Sequence, residues 1–269
     1  MTPSHAARAF IAILTREILR FVQQKERFLA ALVRPLIWLI VFAAGFRATL
    51  GLSIIPPYQT YITYDVYVVP GLIGMIQLFN GMQSSLSMVY DREMGSMRVL
   101  LSTPLPRWFV LAARMMAATF VSIIQVYAFA GIALALGTDL PLPGLVAMLP
   151  VLVMTGLTLS AIGMFLSSWI RQLENFAGIM NFVIFPMFFI SSALYPLWRV
   201  KESSLWLFHA CAWNPFTYIV EAIRFALYGQ VNTFALMVVA VTLAVFGAAS
   251  VVGYTPARGG PAAGRAGAG

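Results

Sequence analysis

Residues 90–108, Tyr-Asp-Arg-Glu-Met-Gly-Ser-Met-Arg-Val-Leu-Leu-Ser-Thr-Pro-Leu-Pro-Arg-Trp, form a charged island between two long apolar runs. The flanking runs, 66–88 and 109–136, each exceed the roughly 20 residues that a helix needs to cross a hydrocarbon core about 30 Å thick. A short charged helix held between two membrane spans offers a handle to a cytoplasmic partner.

Composition extends that reading to the whole chain. Its 269 residues are 61% hydrophobic, 13% aromatic and only 10% charged, whereas a water-soluble domain carries roughly a quarter charged residues. Mean hydropathy is +0.86. The expected fold is all-α: a polytopic membrane protein with six transmembrane helices near 28–50, 66–88, 109–136, 145–169, 176–198 and 233–254, preceded by an N-terminal amphipathic interfacial helix. The first span is the least regular, because 35–46 alone reaches only about 18 Å and Arg34 and Arg47 must snorkel to opposite interfaces. Pro70, Pro150 and Pro186 interrupt other spans, which is tolerable where neighbouring helices or waters satisfy the freed backbone groups. The chain thus divides into an interfacial helix at 4–27, a six-helix unit at 28–254 and a tail at 255–269. The tail, PARGGPAAGRAGAG from Pro256, cannot bury enough surface to order itself.

Orientation follows from the basic residues, because cytoplasmic loops collect Lys and Arg. Of the 17 present, thirteen fall on one side: Arg8, Arg16, Arg20, Lys25, Arg27, Arg34, Arg92, Arg98, Arg107, Arg114, Arg171, Arg258 and Arg265. Arg47, Arg199, Lys201 and Arg224 fall on the other. Both termini and the 90–108 segment are therefore expected in the cytoplasm, and the protein in the cytoplasmic (inner) membrane. Five acidic residues lie inside and four outside, so the net charge of +8 resides on the cytoplasmic face, and the basic balance calls for no nucleic acid. The early apolar run 9–14 is too short for the core of a signal peptide.

Segment 4–27 has helical periodicity. Phe10, Leu14, Ile18, Phe21 and Val22 gather on one face, and Arg16, Arg20, Gln23 and Arg27 on the other. Such a helix lies in the interface, either anchoring the first span or docking a soluble partner.

Several chemistries are excluded. One cysteine, Cys211, rules out an internal disulfide and a cysteine-rich metal site. The two histidines, His5 and His209, stand apart from any HExxH pattern. No GxSxG elbow occurs, and no span pairs a histidine base with a serine. Each Asp and Glu falls in a loop or at a span end, which disfavours proton or sodium coupling through midplane carboxylates. Gln24 and Val200 precede the two lysines, so no GxxxxGK[ST] phosphate loop exists in the chain. Energy from ATP would require another polypeptide that binds the ATP and its Mg2+. This chain itself is expected to be no enzyme and to hold no cofactor.

Two stripes are candidates for lining a path. In the second span, Gly74, Gln77, Gly81 and Ser84 recur at helical spacing beside Asn80, a pattern that also serves close helix packing and interhelical hydrogen bonds. Gly156 with Ser160 and Gly163 with Ser167 form similar seams in the fourth span. In the fifth, Phe182, Phe185 and Phe189 share a face, suited either to an amphipathic cargo or to packing against lipid. Gln77, Asn80, Phe182 and Phe185 are the candidate path residues.

The segment Asp91-Arg92-Glu93-Met94-Gly95-Ser96, continuing through Leu100-Leu101-Ser102-Thr103-Pro104-Leu105 to Arg107, resembles the cytoplasmic signature of ABC-2 type transporter permeases. Asn214-Pro215-Phe216-Thr217-Tyr218, with Glu221, Arg224 and Gly229, is similar to that family's stretch before the last helix. The likeness spans residues 4–254. It implies a coupling helix at about 90–103 that inserts into an ATP-binding cassette subunit, with Glu93, Met94, Gly95, Met97, Leu100 and Leu101 in contact. Arg98 departs from the acidic or neutral residue that members often carry. The likeness also implies short re-entrant helices within 197–230, an extracellular region held by Asn214, Pro215, Glu221 and Arg224, and a homodimer or heterodimer of permeases exporting a lipidic, glycan or drug-like substrate. A passive channel or lipid scramblase, or a non-transporting assembly subunit, remain alternatives on the residues alone.

The charge distribution makes a direct prediction. Cysteines placed at Asp139 and Ser203 should react with an impermeant maleimide added from outside the cell; reaction from the cytoplasmic side alone would reverse the topology.

Overall fold

The structure is a computed structural model and describes residues 3–23, 25–46, 56–58, 62–94, 106–170 and 173–254. Helices carry the fold: α1 (Pro3–Gln23), α2 (Lys25–Phe46), α3 (Tyr64–Glu93), α4 (Arg107–Ala135), α5 (Leu142–Ala147), α6 (Leu149–Trp169), α7 (Leu173–Phe189), α8 (Leu197–Ser203), α9 (Leu205–Trp213), α10 (Pro215–Leu227) and α11 (Thr233–Gly253). Three of the described helices, α4, α6 and α11, are long and apolar enough to cross a membrane. The apolar stretches Ala31–Val41 of α2 and Gly178–Phe189 of α7 are shorter.

The hub is α3. It packs on α2, α4, α6, α7 and α10, and every residue from 64 to 78 is buried. Its polar groups are used between helices. The buried Gln77 donates to the Leu152 carbonyl of α6 at 2.8 Å and accepts from Thr155 Oγ1 at 2.7 Å. Asn80 donates to Gln125 Oε1 of α4 and to the Ile76 carbonyl. In an apolar medium such pairs satisfy groups that would otherwise be costly to bury.

Close approach of α3 and α6 depends on two glycines. A Cβ on Gly81 would lie 2.8 Å from the Leu159 carbonyl carbon, and one on Gly163 would lie 2.7 Å from the Gly81 oxygen. In both cases the obstacle is backbone. The small-residue stripes of the second and fourth spans are thus joined as one seam, with Gly156 against Thr119 and Gln77.

Around this pair, α2 is fixed by Arg34, whose guanidinium lies 3.9 Å from the centroid of the Phe79 ring, and by Trp38, edge-on to Phe188 and Phe189 of α7. Helix α1 rests on α4 and α2, with Phe10, Leu14 and Ile18 half-buried and Arg8, Arg16 and Gln23 exposed. Helix α11 leans mainly on α6 and α10, and Phe234, Met237, Val241, Val245 and Val252 on it are exposed. Asn232 caps its start by accepting from Ala235 N at 3.0 Å.

Several expected boundaries are corrected. The helix of the expected second span, α3, continues past residue 88 to Glu93, so Tyr90 to Glu93 of the expected coupling segment belong to α3. The expected fourth span, 145–169, is two helices that meet at Met148. Pro150 lies in the first turn of α6, where the missing N–H leaves no hydrogen bond unmade, so it starts a helix instead of kinking one. The expected fifth span, 176–198, stops at Phe189. Ser191 turns the chain there: its hydroxyl donates to the Phe188 carbonyl at 2.6 Å and accepts from Ala193 N at 3.2 Å, the local bonding by which serine competes with a helix. Arg114, counted above as a residue of the cytoplasmic side, is buried within α4, where its Nη1 donates to Met88 Sδ and Ser87 Oγ. Residues 95–105, with Gly95, Met97, Leu100 and Leu101, and the tail 255–269 lie outside the described residues.

Gly81→Leu should destabilise the protein by at least the ~1–3 kcal/mol typical of overpacking, because neither Leu159 nor Ser160 can yield backbone. A thermal unfolding curve in detergent checks this, with Gly178→Leu, where a Cβ meets nothing within 4 Å, as the tolerant control.

Candidate functional site

Helix α7 is held at both ends by side chains from distant parts of the chain. A helix leaves four N–H groups and four carbonyls without intrahelical partners, and in a membrane protein water does not reliably supply the missing bonds.

At its C-terminal end the partner is Asn214, which separates α9 from α10. Its Nδ2 donates to the Met187 carbonyl at 2.8 Å and to the Ile190 carbonyl at 2.5 Å. Its Oδ1 accepts from Phe216 N at 3.0 Å, capping α10. One amide therefore closes the end of one helix and the beginning of another. Pro215 follows at the first position of α10, where its fixed φ suits helix entry.

The turn after α7 is gripped from three sides. Tyr64 donates to the Leu194 carbonyl at 2.6 Å. Tyr67 donates to the Ser192 carbonyl at 3.0 Å, and Arg224 Nη2 donates to the same oxygen at 2.9 Å. Arg224, only 3% exposed, also pairs with Glu221 through Nη1 and lies 4.2 Å from the centroid of the Tyr67 ring. A buried guanidinium is tolerated when paired, hydrogen-bonded and stacked on an aromatic face, and all three conditions are met here. Tyr58 packs edge-on to Tyr228 at 4.8 Å. Burial pushes the Tyr58 phenol up to about 12, against the opposing pull of Arg224, and burial raises Tyr228 in the same direction. Both phenols are neutral at physiological pH. Gly229, at φ +66, takes the left-handed conformation that ends α10. The Gln230 N–H then reaches the Phe225 carbonyl at 2.9 Å, and the Gln230 side chain donates to the Pro57 carbonyl at 3.0 Å.

At the N-terminal end of α7 the partner is Glu93, the last residue of α3. Its Oε2 accepts from Leu173 N at 3.2 Å. Glu93 and the neighbouring Met94 are exposed.

The residues singled out in the sequence fall into three places. Asn214, Pro215, Glu221 and Arg224 come together at the end of α7. Gln77 and Asn80 join α3 to α6 and α4. Phe182 and Phe185, 79% and 43% exposed, face away from the bundle of this chain, so the four candidate path residues do not share a lining. Sequence reasoning missed Tyr58, Tyr64, Tyr67 and Ser192. The spacing of Tyr64 and Tyr67 on one helical face was the available signal.

The described residues form an all-helical fold with three helices long and apolar enough to cross a membrane, the class of architecture to which membrane permeases belong. The ABC-2 type transporter family matches residues 8–228, and the chain belongs to that family. Among its relatives, transport permease ycf38 of Pyropia yezoensis is 28% identical over 228 residues, covering 82% of this chain and 74% of the relative. The protein of the same name from Cyanophora paradoxa is 28% identical over 211 residues, 76% of this chain and 70% of the relative. Multidrug ABC transporter permease YbhR of Escherichia coli strain K12 is 30% identical over 170 residues, 61% of this chain but 44% of the relative.

Asn214→Asp separates the two duties of this side chain. Aspartate caps α10 as well as asparagine does, yet it cannot donate to Met187 and Ile190. The substitution should therefore cost roughly the 1–3 kcal/mol of unsatisfied buried carbonyls, close to the effect of Asn214→Ala. Thermal unfolding of the two variants checks this; an Asp variant as stable as the parent would refute it.

Proposed function

We propose that this chain is the permease subunit of an ATP-driven exporter. It crosses the cytoplasmic membrane six times with both termini inside, α1 lying in the interface, and it dimerises and works with two separate ATP-binding cassette subunits that carry ATP and Mg2+. Family membership supports the class. The sequence holds no GxxxxGK[ST] phosphate loop, which agrees with nucleotide chemistry on another polypeptide. The observation that carries the reading furthest is the central helix itself. Helix α3, buried from 64 to 78, runs on without a break into the exposed residues Tyr90, Glu93 and Met94. A partner seated on 90–103 would act directly on the element against which five other helices pack.

Six crossings are supported by α4, α6 and α11, by the apolar parts of α2 and α7, and by the length of α3, whose 30 residues extend about 45 Å. The interfacial role of α1 is supported by its exposed Arg8 and Arg16 opposite the half-buried Phe10, Leu14 and Ile18. The cargo class, a bulky amphipathic molecule of lipidic, glycan or drug-like kind, is supported by the outward aromatic face of α7, and the name of YbhR agrees with the drug-like member of that class.

Gly95→Trp and Leu100→Asp should abolish transport-linked ATP hydrolysis and co-purification of the ATPase while membrane insertion is unchanged. Normal association and activity in both variants would remove the coupling role from 90–103. Phe182→Ala with Phe185→Ala should alter cargo preference more than thermal stability; a double variant with unchanged selectivity would remove α7 from the path.

A further inference from the structure

We infer that Arg34 is a binding residue for the anionic head group of a membrane lipid, seated where α3 first comes to the surface of the bundle. The inference rests on the placement of α2 and α3 across the membrane given above, and not on coupling to an ATPase.

Helix α3 is buried without interruption from 64 to 78, and Phe79 is the next residue and only half-buried. The Arg34 guanidinium of α2 covers that side chain, with Cζ 3.9 Å from the ring centroid. Phe79 lies about 21–23 Å from either end of α3, and Arg34 stands inside the apolar stretch Ala31–Val41. The cation is therefore far from both ends of the helix it rests on. Helical side chains lean toward the N-terminus of their own helix, so a snorkelling Arg34 would extend along α2 toward Lys25. Its head group rests on α3 instead.

Stacking occupies only a face of the guanidinium. The charge and the five N–H donors, which lie in the plane of the group, are left over: among the described residues Arg34 has no ion pair and no hydrogen bond, and it is exposed. An intramembrane cation is costly without an anion, and the planar fork of arginine matches the oxygens of a phosphate. An anion supplied by the bilayer meets both needs.

The flank of α3 on the Glu93 side of this contact is polar. Gln83 follows Phe79 by one turn on the same face, with roughly 5–6 Å between neighbouring Cβ atoms at that spacing. It is half-buried, and its amide has no hydrogen bond among the described residues. Beside it Asn80, Ser84 and Ser87, also half-buried, recur at helical spacing. A phosphate thus meets Arg34 on one side and the Gln83 amide on the other. The acyl chains find Val33 and Ile37 of α2, both exposed, next to the arginine.

The test uses the full-length permease in neutral detergent, titrated with phosphatidylglycerol or with phosphatidylcholine of the same chain length. Thermal unfolding is the readout, since a ligand that binds the folded state raises its midpoint by mass action. Phosphatidylglycerol should stabilise the parent, and phosphatidylcholine should not. A shift reproduced by inorganic phosphate would assign the site to a free anion and overturn the lipid. Arg34→Met removes the charge and keeps an apolar chain over Phe79. It should match the parent's stability without lipid, while its affinity for phosphatidylglycerol falls about ten-fold or more, the loss of one charge-assisted hydrogen bond. Arg34→Lys keeps the charge but not the fork and should fall between, and Gln83→Met should lower affinity about three-fold. Should Arg34→Met not fold, unchanged affinity in both Arg34→Lys and Gln83→Met overturns the inference. A parent indifferent to phosphatidylglycerol, with Arg34→Met destabilised in its absence, would make the guanidinium a structural contact within the protein or its dimer and overturn it too. Arg34-dependent lipid binding in a permease whose Gly95→Trp variant supports normal ATP hydrolysis would sink the docking reading and leave this one standing.

Discussion

Backbone hydrogen bonding at helix ends is the constraint around which this protein is organised. Inside a bilayer an unsatisfied carbonyl costs several kcal/mol, and a chain that stops and restarts helices must find donors at every junction. Asn214 answers for two junctions together, and that is why α7, the turn after it, α9 and α10 converge on one place. Arg224 can be buried there because the same turn presents the Ser192 carbonyl and α3 presents the Tyr67 ring. The cluster ties the turn after α7 to α3 and α10 through hydrogen bonds to the Ser192 and Leu194 carbonyls, an arrangement that favours one geometry over its neighbours.

A second constraint acts between α3 and α6. Because lipid tails are as apolar as leucine, burial alone does not drive two membrane helices together, and contact must come from close fit and interhelical polar bonds. Gly81 and Gly163 supply the fit; Gln77 and Thr155 supply the bond. These residues make α3 a shared wall for the rest of the bundle, so a load applied to its exposed end reaches several helices through contacts already in place.

How much of this was legible in the chain follows from the same physics. Apolar length revealed the helical class, and asparagine followed by proline revealed the joint before α10. Apolar character could not say which face of a helix meets protein. Phe182 and Phe188 read alike in sequence, yet one is 79% exposed and the other fully buried, since hydrophobicity marks the inside only when the outside is water. The turn after Phe189 was hidden in an apolar run, although Ser191 and Ser192 were its visible signal. Arg114 shows the limit of counting charges by loop: the count sees a cation near an interface and misses Met88 and Ser87 waiting on the neighbouring helix. Glu93 was singled out for contact with another polypeptide, but no spacing rule connects it to an amide 80 positions away.

Helix α11 is attached along one side only, and its outer residues, among them Met237, Val241 and Val245, are exposed. A helix face that meets acyl chains, which rearrange within nanoseconds, need match no particular shape. Substitution among Val, Leu, Ile and Met on that face exchanges one good solvent contact for another, and drift there carries almost no penalty. The inner stripe is different: Thr158 reaches toward the Val239 carbonyl from α6, and Ala235 and Val239 are buried. Two rates of evolutionary change should therefore run side by side along a single helix, separated by half a turn.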